Sequence, residues 1–282
     1  MSSELAELAA VIGDRYTLVR QLARGGMATV YLAEDRVRGC PVAVKVMGQK
    51  IASALGAARF RREIEIVRSM AHPGIVPLYD SGSGGGLLYY VMPYVEGESL
   101  HERLQRTGRL GVTEALTLLA EVADALGYAH RRGIVHRDIK PDNILLSGGR
   151  ALVADFGLAR ASAAADSQKL TATGVVVGTV YYMSPEQLRE DPELDARGDV
   201  YSLGCVLYES LTGEPPFVGT SLNETITRIL RAPVPSVRRL NPEVPVALEG
   251  IIARSLAKAA ADRFGSIEEL VDAFREMTQG SG

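Results

Sequence analysis

The stretch His136-Arg137-Asp138-Ile139-Lys140-Pro141-Asp142-Asn143-Ile144-Leu145-Leu146 constrains this chain more than any other. It packs a carboxylate, an ammonium and a carboxamide into one short turn. Asp138 offers a base for a hydroxyl proton, Lys140 a cation for an anionic group, and Asn143 an oxygen for a hard metal ion. The flanks are of another kind. Upstream, Thr113-Glu114-Ala115-Leu116 opens a long amphipathic helix through Leu119, Val122, Leu126 and Ala129, ending at the basic turn Arg131-Arg132-Gly133. Downstream, Ala151-Leu152-Val153-Ala154 reads as a short strand running into Asp155-Phe156-Gly157. A helix therefore delivers the polar turn and a strand follows it.

The chain has 282 residues, a comfortable length for two lobes sharing a cleft. With 46% hydrophobic and 23% charged residues the balance is that of a soluble globular enzyme. A formal net charge of -3 and the lack of a basic stripe argue against nucleic acid as a partner. Cys40 and Cys205 stand far apart in unlike contexts, so no disulfide framework or Cys-x-x-Cys motif is present and a reducing compartment is expected. Met1 to Gly13 lacks the basic front and long apolar centre of a signal peptide. The apolar run Val200 to Leu211 contains Glu209 and is too short to span a bilayer, so it reads as a core helix. The expectation is no membrane segment in this chain and a cytoplasmic location, alone or as the cytosolic domain of a longer membrane-anchored protein.

In chain order, Leu5, Leu8, Ala9 and Ile12 sit at helical spacing and make residues 1–15 a helical appendage. Tyr16 to Leu22 alternates as a half-buried strand, Gly25-Gly26 reads as a turn, and Val30-Tyr31-Leu32-Ala33 resumes the strand pattern. In Pro41-Val42-Ala43-Val44-Lys45-Val46-Met47, Lys45 interrupts an apolar run, and an inward charge needs a partner. The next segment, Arg59 to Met70, puts Phe60, Ile64, Val67 and Met70 on one helical face; Glu63 borders that face and Glu65 points away. Glu63 is the expected partner of Lys45. The competing reading joins Glu63 to Arg59, its neighbour on the helix surface, for a few tenths of a kcal/mol. After the stop at His72-Pro73-Gly74, a Gly/Ser-rich turn is expected from Ser81 to Gly86, ahead of a strand from Leu87 to Met92. Pro93-Tyr94-Val95-Glu96-Gly97 breaks that strand. The boundary falls there, dividing 16–93 from 94–282 with a hinge at about 92–97.

These features occur in a known order. The opening stretch matches the protein-kinase pattern His-Arg-Asp-Leu-x-x-x-Asn with Ile139 for Leu, and Val42-Ala43-Val44-Lys45 is similar to Val-Ala-Ile-Lys. Leu22 to Val30 fits the glycine-rich loop with Ala23 and Ala28 at its outer glycine positions, which puts the tightness of phosphate cover in question. Asp155-Phe156-Gly157 follows at the right interval, and Ser184-Pro185-Glu186 stands where Ala-Pro-Glu is usual. Each motif alone is weak. The ordered set of Lys45, Glu63, Asp138, Lys140, Asn143 and Asp155 is hard to produce by accident. From Tyr16 to Met277 the chain resembles the protein kinases. Met92-Pro93-Tyr94-Val95 and Met183-Ser184-Pro185-Glu186-Gln187 resemble the bacterial Ser/Thr kinases of eukaryotic type.

The resemblance implies an α+β, bilobal, protein-kinase-like fold. A small antiparallel β-sheet lobe with one main helix would join a larger, mainly helical lobe, with an ATP cleft between. It implies Asp138, Lys140, Lys45 and Glu63 as the catalytic set, and Asn143 and Asp155 as ligands of Mg2+ or Mn2+. ATP would be held by Leu22, Ala23, Gly25, Gly26, Val30, Ala43, Lys45, Met92, Pro93, Val95, Ser99 and Leu145. The Pro93 carbonyl and Val95 N–H would face the adenine edge. His136 would be a packed core residue, Asp199 would brace the catalytic loop from below, and Arg263 would pair with Glu186. Residues 158–183 are rich in Ala, Ser, Thr and Gly with little periodicity and read as a loop. Within it Thr171 and Thr173 are expected phosphorylation sites, with Arg137 and Arg160 as partners of the phosphate and Thr179 bonding Asp138 or Lys140. Protein substrates with Ser or Thr hydroxyls, and a homodimer for trans-autophosphorylation, are the implied partners. The rival readings are a nucleotide-binding pseudokinase scaffold, prompted by Ala23 and Ala28, and a small-molecule phosphotransferase.

Overall fold

A computed structural model describes residues 3–25, 28–48, 52–53, 56–156 and 179–279. They fall into two compact units. The first holds the chain up to Ala71 and Val76–Glu96; the second holds His72–Ile75, Gly97–Phe156 and the described residues after 177.

In the first unit, helix α1 (Ser3–Ile12) precedes strands β1 (Tyr16–Arg24), β2 (Ala28–Asp35) and β3 (Cys40–Met47), helix α2 (Ala57–Arg68), and strands β4 (Asp80–Gly84) and β5 (Leu87–Pro93). The sheet is antiparallel, in the order β1-β2-β3-β5-β4. Side chains alternate across a sheet, so its register sorts them into two faces. One face carries Tyr31, Val42, Val44, Val46, Tyr89 and Val91, which bury against Leu8 and Ile12 of α1 and against Tyr16. Ala23 lies opposite Val30, Val30 opposite Lys45, and Ala43 opposite Met92, so these residues share the other face. In α2 the buried residues are Phe60, Ile64 and Val67.

The ends of this sheet order are tied together. Arg15, just before β1, reaches Asp35 at 3.1 Å and Asp80 at 2.7 Å, and the Tyr16 hydroxyl donates to Asp80 at 2.9 Å. Asp35 is fully buried and also accepts from the amides of Val37 and Arg38 and from the Arg38 guanidinium. Burial alone would push its carboxyl up, but the Arg15 and Arg38 hydrogen bonds outweigh that and hold it far below the usual carboxylate range.

The Gly/Ser-rich stretch corrects the expectation of a turn from Ser81 to Gly86. Strand β4 runs through Gly84, and only Gly85 and Gly86, both at positive φ, make the turn. Gly82 pairs with Tyr89, and a Cβ on Gly82 would lie 2.5 Å from the Tyr89 hydroxyl oxygen. Glycine is what lets that ring lie across the edge strand.

The second unit starts its secondary structure with β6 (Glu98–Ser99), helices α3 (Leu100–Thr107) and α4 (Val112–His130), and strands β7 (Ile144–Ser147) and β8 (Arg150–Val153). There follow α5 (Pro185–Leu188), α6 (Arg197–Thr212), α7 (Leu222–Arg231), α8 (Val237–Leu240), α9 (Val246–Ser255) and α10 (Ile267–Gln279). The strands form a sheet in the order β6-β7-β8. The run from Gly198 to Leu211 in α6 is buried all round, as its composition requires, and packs on α4, α8, α9 and α10. Gly204 permits the close approach of α9: a Cβ there would sit 2.9 Å from that of Ser255. Among the described residues no helix is long and apolar enough to cross a membrane. Cys40 and Cys205 are free thiols.

Candidate active site

Helix α4 ends at His130, and the chain passes Gly133, at φ 72°, into the polar turn. His136 is fully buried, and its two ring nitrogens have different tasks. Nε2 lies 2.9 Å from the Ala154 carbonyl, and Nδ1 receives the Asp138 amide at 3.2 Å. A carbonyl can only accept, so the neutral ring carries its proton on Nε2. The ring also meets Phe156 edge-on at 4.5 Å. His136 thus links the turn to the segment that bears Asp155.

Asp199, fully buried near the start of α6, supports the same backbone from a second side. Its carboxylate accepts the amides of His136 and Arg137, each at 2.8 Å, and lies 2.7 Å from Nε2 of His130. Burial alone would push this carboxyl up; the His130 hydrogen bond and the Arg137 amide outweigh that and hold it below the ordinary range. His130 had no signature in the sequence, because its partner stands 69 residues away.

Three of the expected site side chains cluster on the turn. Lys140 Nζ donates to both oxygens of Asp138, at 3.1 and 2.9 Å. Asn143, nearly buried in the 3-10 segment Pro141–Asn143, donates through Nδ2 to the Asp138 carbonyl at 2.8 Å and to its carboxylate at 3.0 Å. Both partners are acceptors, so the amide is oriented, and Oδ1 of Asn143 makes no hydrogen bond among the described residues. The Asn143 carbonyl accepts the Ala154 amide at 2.9 Å, placing its backbone beside that of Asp155. Asp155 has φ 67°, a left-handed conformation that a non-glycine residue adopts only when its surroundings impose it. Asn143 and Asp155 together offer a carboxamide and a carboxylate oxygen. That donor set fits a hard divalent ion completing its shell with water and phosphate oxygens. Among the described residues no three His, Cys, Asp or Glu side chains form a closed metal cage.

In the first unit, Val30, Ala43, Lys45 and Met92 occupy the sheet face described above, and Lys45 Nζ lies 6.0 Å from the centre of the Tyr90 ring. The Gly25 amide closes a turn on the Ala28 carbonyl at 2.9 Å. Leu22, Pro93 and Val95 are half-buried and Ala23 is exposed. In this structure Glu63 meets Arg59, the competing partner, rather than Lys45. Glu63 Oε1 accepts from Arg59 Nε at 3.1 Å, one helical turn away, and Oε2 is buried with no partner among the described residues. The nearer arginine, on the same helix, has taken the carboxylate.

In the second unit, Leu145 is half-buried on β7. The Ser99 hydroxyl is committed to capping α3: it accepts from the Glu102 amide at 3.1 Å and donates to the Glu102 carboxylate at 3.0 Å. Arg263 meets Glu186 through two bonds of 2.6 and 2.8 Å. Gly26, Thr171, Thr173, Arg160 and the side chain of Thr179 lie outside the described part of the chain.

The comparisons with known proteins agree with this geometry. A family model described as the protein kinase domain matches residues 16–273, so α1 precedes the matched region. The serine/threonine-protein kinase PknB of Mycobacterium leprae is 42% identical over 266 residues, covering 92% of this chain and 42% of that protein. The serine/threonine-protein kinase PrkC of Bacillus subtilis is 41% identical over 261 residues, covering 92% and 40% respectively. The chain thus spans less than half the length of these curated relatives. The crystal structure of the Mycobacterium tuberculosis PknI kinase domain superposes with a TM-score of 0.74 at 32% identity, covering 93% of this chain and 96% of that one. A family that implies ATP and a divalent metal accounts for the lysine, the paired amide and carboxylate, and the buried supports of the loop: this chain belongs to the protein kinases.

Proposed function

We propose that the chain transfers the γ-phosphoryl group of ATP to serine or threonine hydroxyls of proteins. The observation that carries this reading is the cluster of Asp138, Lys140 and Asn143 on one braced loop. Asp138 takes the proton as the acceptor O–H bond breaks and the new O–P bond forms, while the bond from phosphorus to the departing ADP oxygen breaks. Lys140, already within reach of that carboxylate, neutralises charge on the transferring group. Oδ1 of Asn143 and the Asp155 carboxylate hold Mg2+ or Mn2+; the bound ion supplies neutralisation of the β- and γ-phosphate oxygens.

In the first unit, Lys45 binds the α- and β-phosphates, and Glu63 exchanges Arg59 for Lys45 when nucleotide is bound. Leu22, Ala23 and Gly25 cover the phosphates, while Val30, Ala43 and Met92 line the adenine. The Pro93 carbonyl and the Val95 amide, which makes no hydrogen bond among the described residues, take its polar edge. Leu145 contributes from the second unit, and Ser99 contributes only what its capping role leaves free. Phosphorylation of Thr171 or Thr173 by a second copy, read by Arg137, switches the domain on. The two free thiols fit a reducing cytoplasm.

The test is transfer of labelled phosphate from ATP-Mg to the chain itself and to a generic basic protein. Asp138→Asn should lower the rate by about 100- to 10,000-fold, the range for losing a general base. Label should map to Thr171 or Thr173. A wild type that binds ATP and labels nothing would sink the reading in favour of a scaffold.

A further inference from the structure

The peptide unit joining Arg137 to Asp138 is held at both ends. Its N–H donates to His136 Nδ1 at 3.2 Å, and its carbonyl accepts from Nε2 of Gln187 at 2.7 Å. The amide before it, that of Arg137, donates to Asp199 at 2.8 Å. Arg137 has φ 69°, in the left-handed region that disfavours side-chain-bearing residues, so this orientation is imposed from outside. A change in the ψ of Arg137, which sets that peptide plane, would swing the Cα of Asp138, and its carboxylate with it.

Gln187 acts from a fixed base. In α5 its Oε1 accepts the Ser184 amide at 2.9 Å, and Ser184 Oγ accepts the Gln187 amide at 3.3 Å, a reciprocal capping box. Its neighbour Glu186 is gripped by both Nη atoms of Arg263, whose side chain is fully buried. Both ends of the Gln187 carboxamide are therefore committed, one to the cap and one to the loop. A cap alone is served as well by Glu at this position. The Nε2 donor is what Gln adds.

We propose that Gln187 is a positioning residue for phosphoryl transfer, orienting the Arg137–Asp138 peptide plane so that Asp138 meets the acceptor hydroxyl. The inference rests on the phosphotransfer reading above and goes beyond it. Gln187→Glu separates the two tasks: it keeps the cap acceptor and sets an oxygen against the Arg137 carbonyl. Gln187→Ala removes both.

In the full chain, kcat of Gln187→Glu should fall about ten- to a hundredfold, the scale for misplacing a reacting group by about an ångström. KM for ATP and for peptide should stay within about twofold. The melting temperature should stay within about 2 °C, since the cap is kept. Amide hydrogen exchange over residues 136–139 should quicken. A kcat within about twofold of wild type would overturn the proposal, as would unchanged exchange over 136–139. If the wild type transfers no phosphate, the function reading fails by itself, and the exchange comparison alone decides whether Gln187 fixes the loop.

Discussion

Glu63 carries the sharpest energetic tension at the residue scale. One oxygen meets Arg59, whose side chain is well exposed, and the other is buried without a partner among the described residues. The Arg59 bond is a surface helical pair worth about 0.2–0.5 kcal/mol, while an unsatisfied buried acceptor costs about 1–3 kcal/mol. A partner that satisfied both oxygens would therefore win, and Lys45 is the cation the proposed function assigns. Arg59→Ala should leave kcat unchanged or raise it, because it removes the competitor for Glu63. Glu63→Gln should raise KM for ATP and lower kcat/KM by about tenfold, the equivalent of ~1.4 kcal/mol. Steady-state kinetics on both variants decides this; an Arg59→Ala enzyme as impaired as Glu63→Gln would make the observed pair the working one. The sequence pointed to both candidate partners and ranked them by motif order. Which cation holds the carboxylate is a matter of reach, and Arg59 is one turn away on the same helix.

Helix α5 shows how an element is positioned by contacts its own sequence barely encodes. It is a single turn, too short to persist alone, and is held by its capping box and by Arg263. Burial tends to raise the Glu186 carboxyl, but Arg263 prevails and keeps it below the ordinary range. Arg263→Ala leaves that carboxylate unpaired and should cost about 3–5 kcal/mol, a fall in melting temperature of roughly 10 °C. The double variant Glu186→Leu with Arg263→Met removes both charges and should recover much of the loss. Thermal melts of the pair check this, and a double variant no better than the single one would refute it. The same contrast between local and distant signals separates what could be read beforehand. Helices α2 and α4 declare themselves by apolar spacing, α6 by an apolar run, and β3 by a lysine inside an apolar run. The start of α3 was also legible in Ser99-Leu100-His101-Glu102, a Ser-x-x-Glu box that the motif reading passed over. Strand β4 was not, since Asp80-Ser81-Gly82-Ser83-Gly84 has turn composition and is extended by pairing with β5 and the room Gly82 leaves for Tyr89. The Arg15–Asp80 tie and the Gln187–Arg137 bond join residues 65 and 50 positions apart, and no local pattern marks them.

Across the whole molecule the supports of both units share one electrostatic design, and its sign can be worked out. Asp35 in the first unit, and Glu186 and Asp199 in the second, have folded-state carboxyls below their ordinary values because cations, an imidazole and amides favour the charged form. Between the depressed value and the unfolded value of about 4, the unfolded chain binds more protons than the native one. Their stabilisation is therefore complete above about pH 4 and is lost as pH falls through the folded values. Glu209 is the counter-case. Burial pushes its carboxyl up despite a hydrogen bond of 2.5 Å from Tyr182, so its contribution is complete below the unfolded value and lost as pH rises through the folded one. Depressed carboxyls outnumber the raised one, which predicts melting temperatures that climb steeply from strongly acidic pH to about pH 4–5, then flatten or dip. Asp35→Asn should shrink the acid climb, at a cost in stability near neutrality. Glu209→Gln keeps an acceptor for Tyr182 and should remove any dip above that range. Calorimetric melts from acid to neutral pH read both limbs, and a wild-type melting temperature independent of pH across the acid range would show that these buried carboxylates do not hold the molecule together as charges.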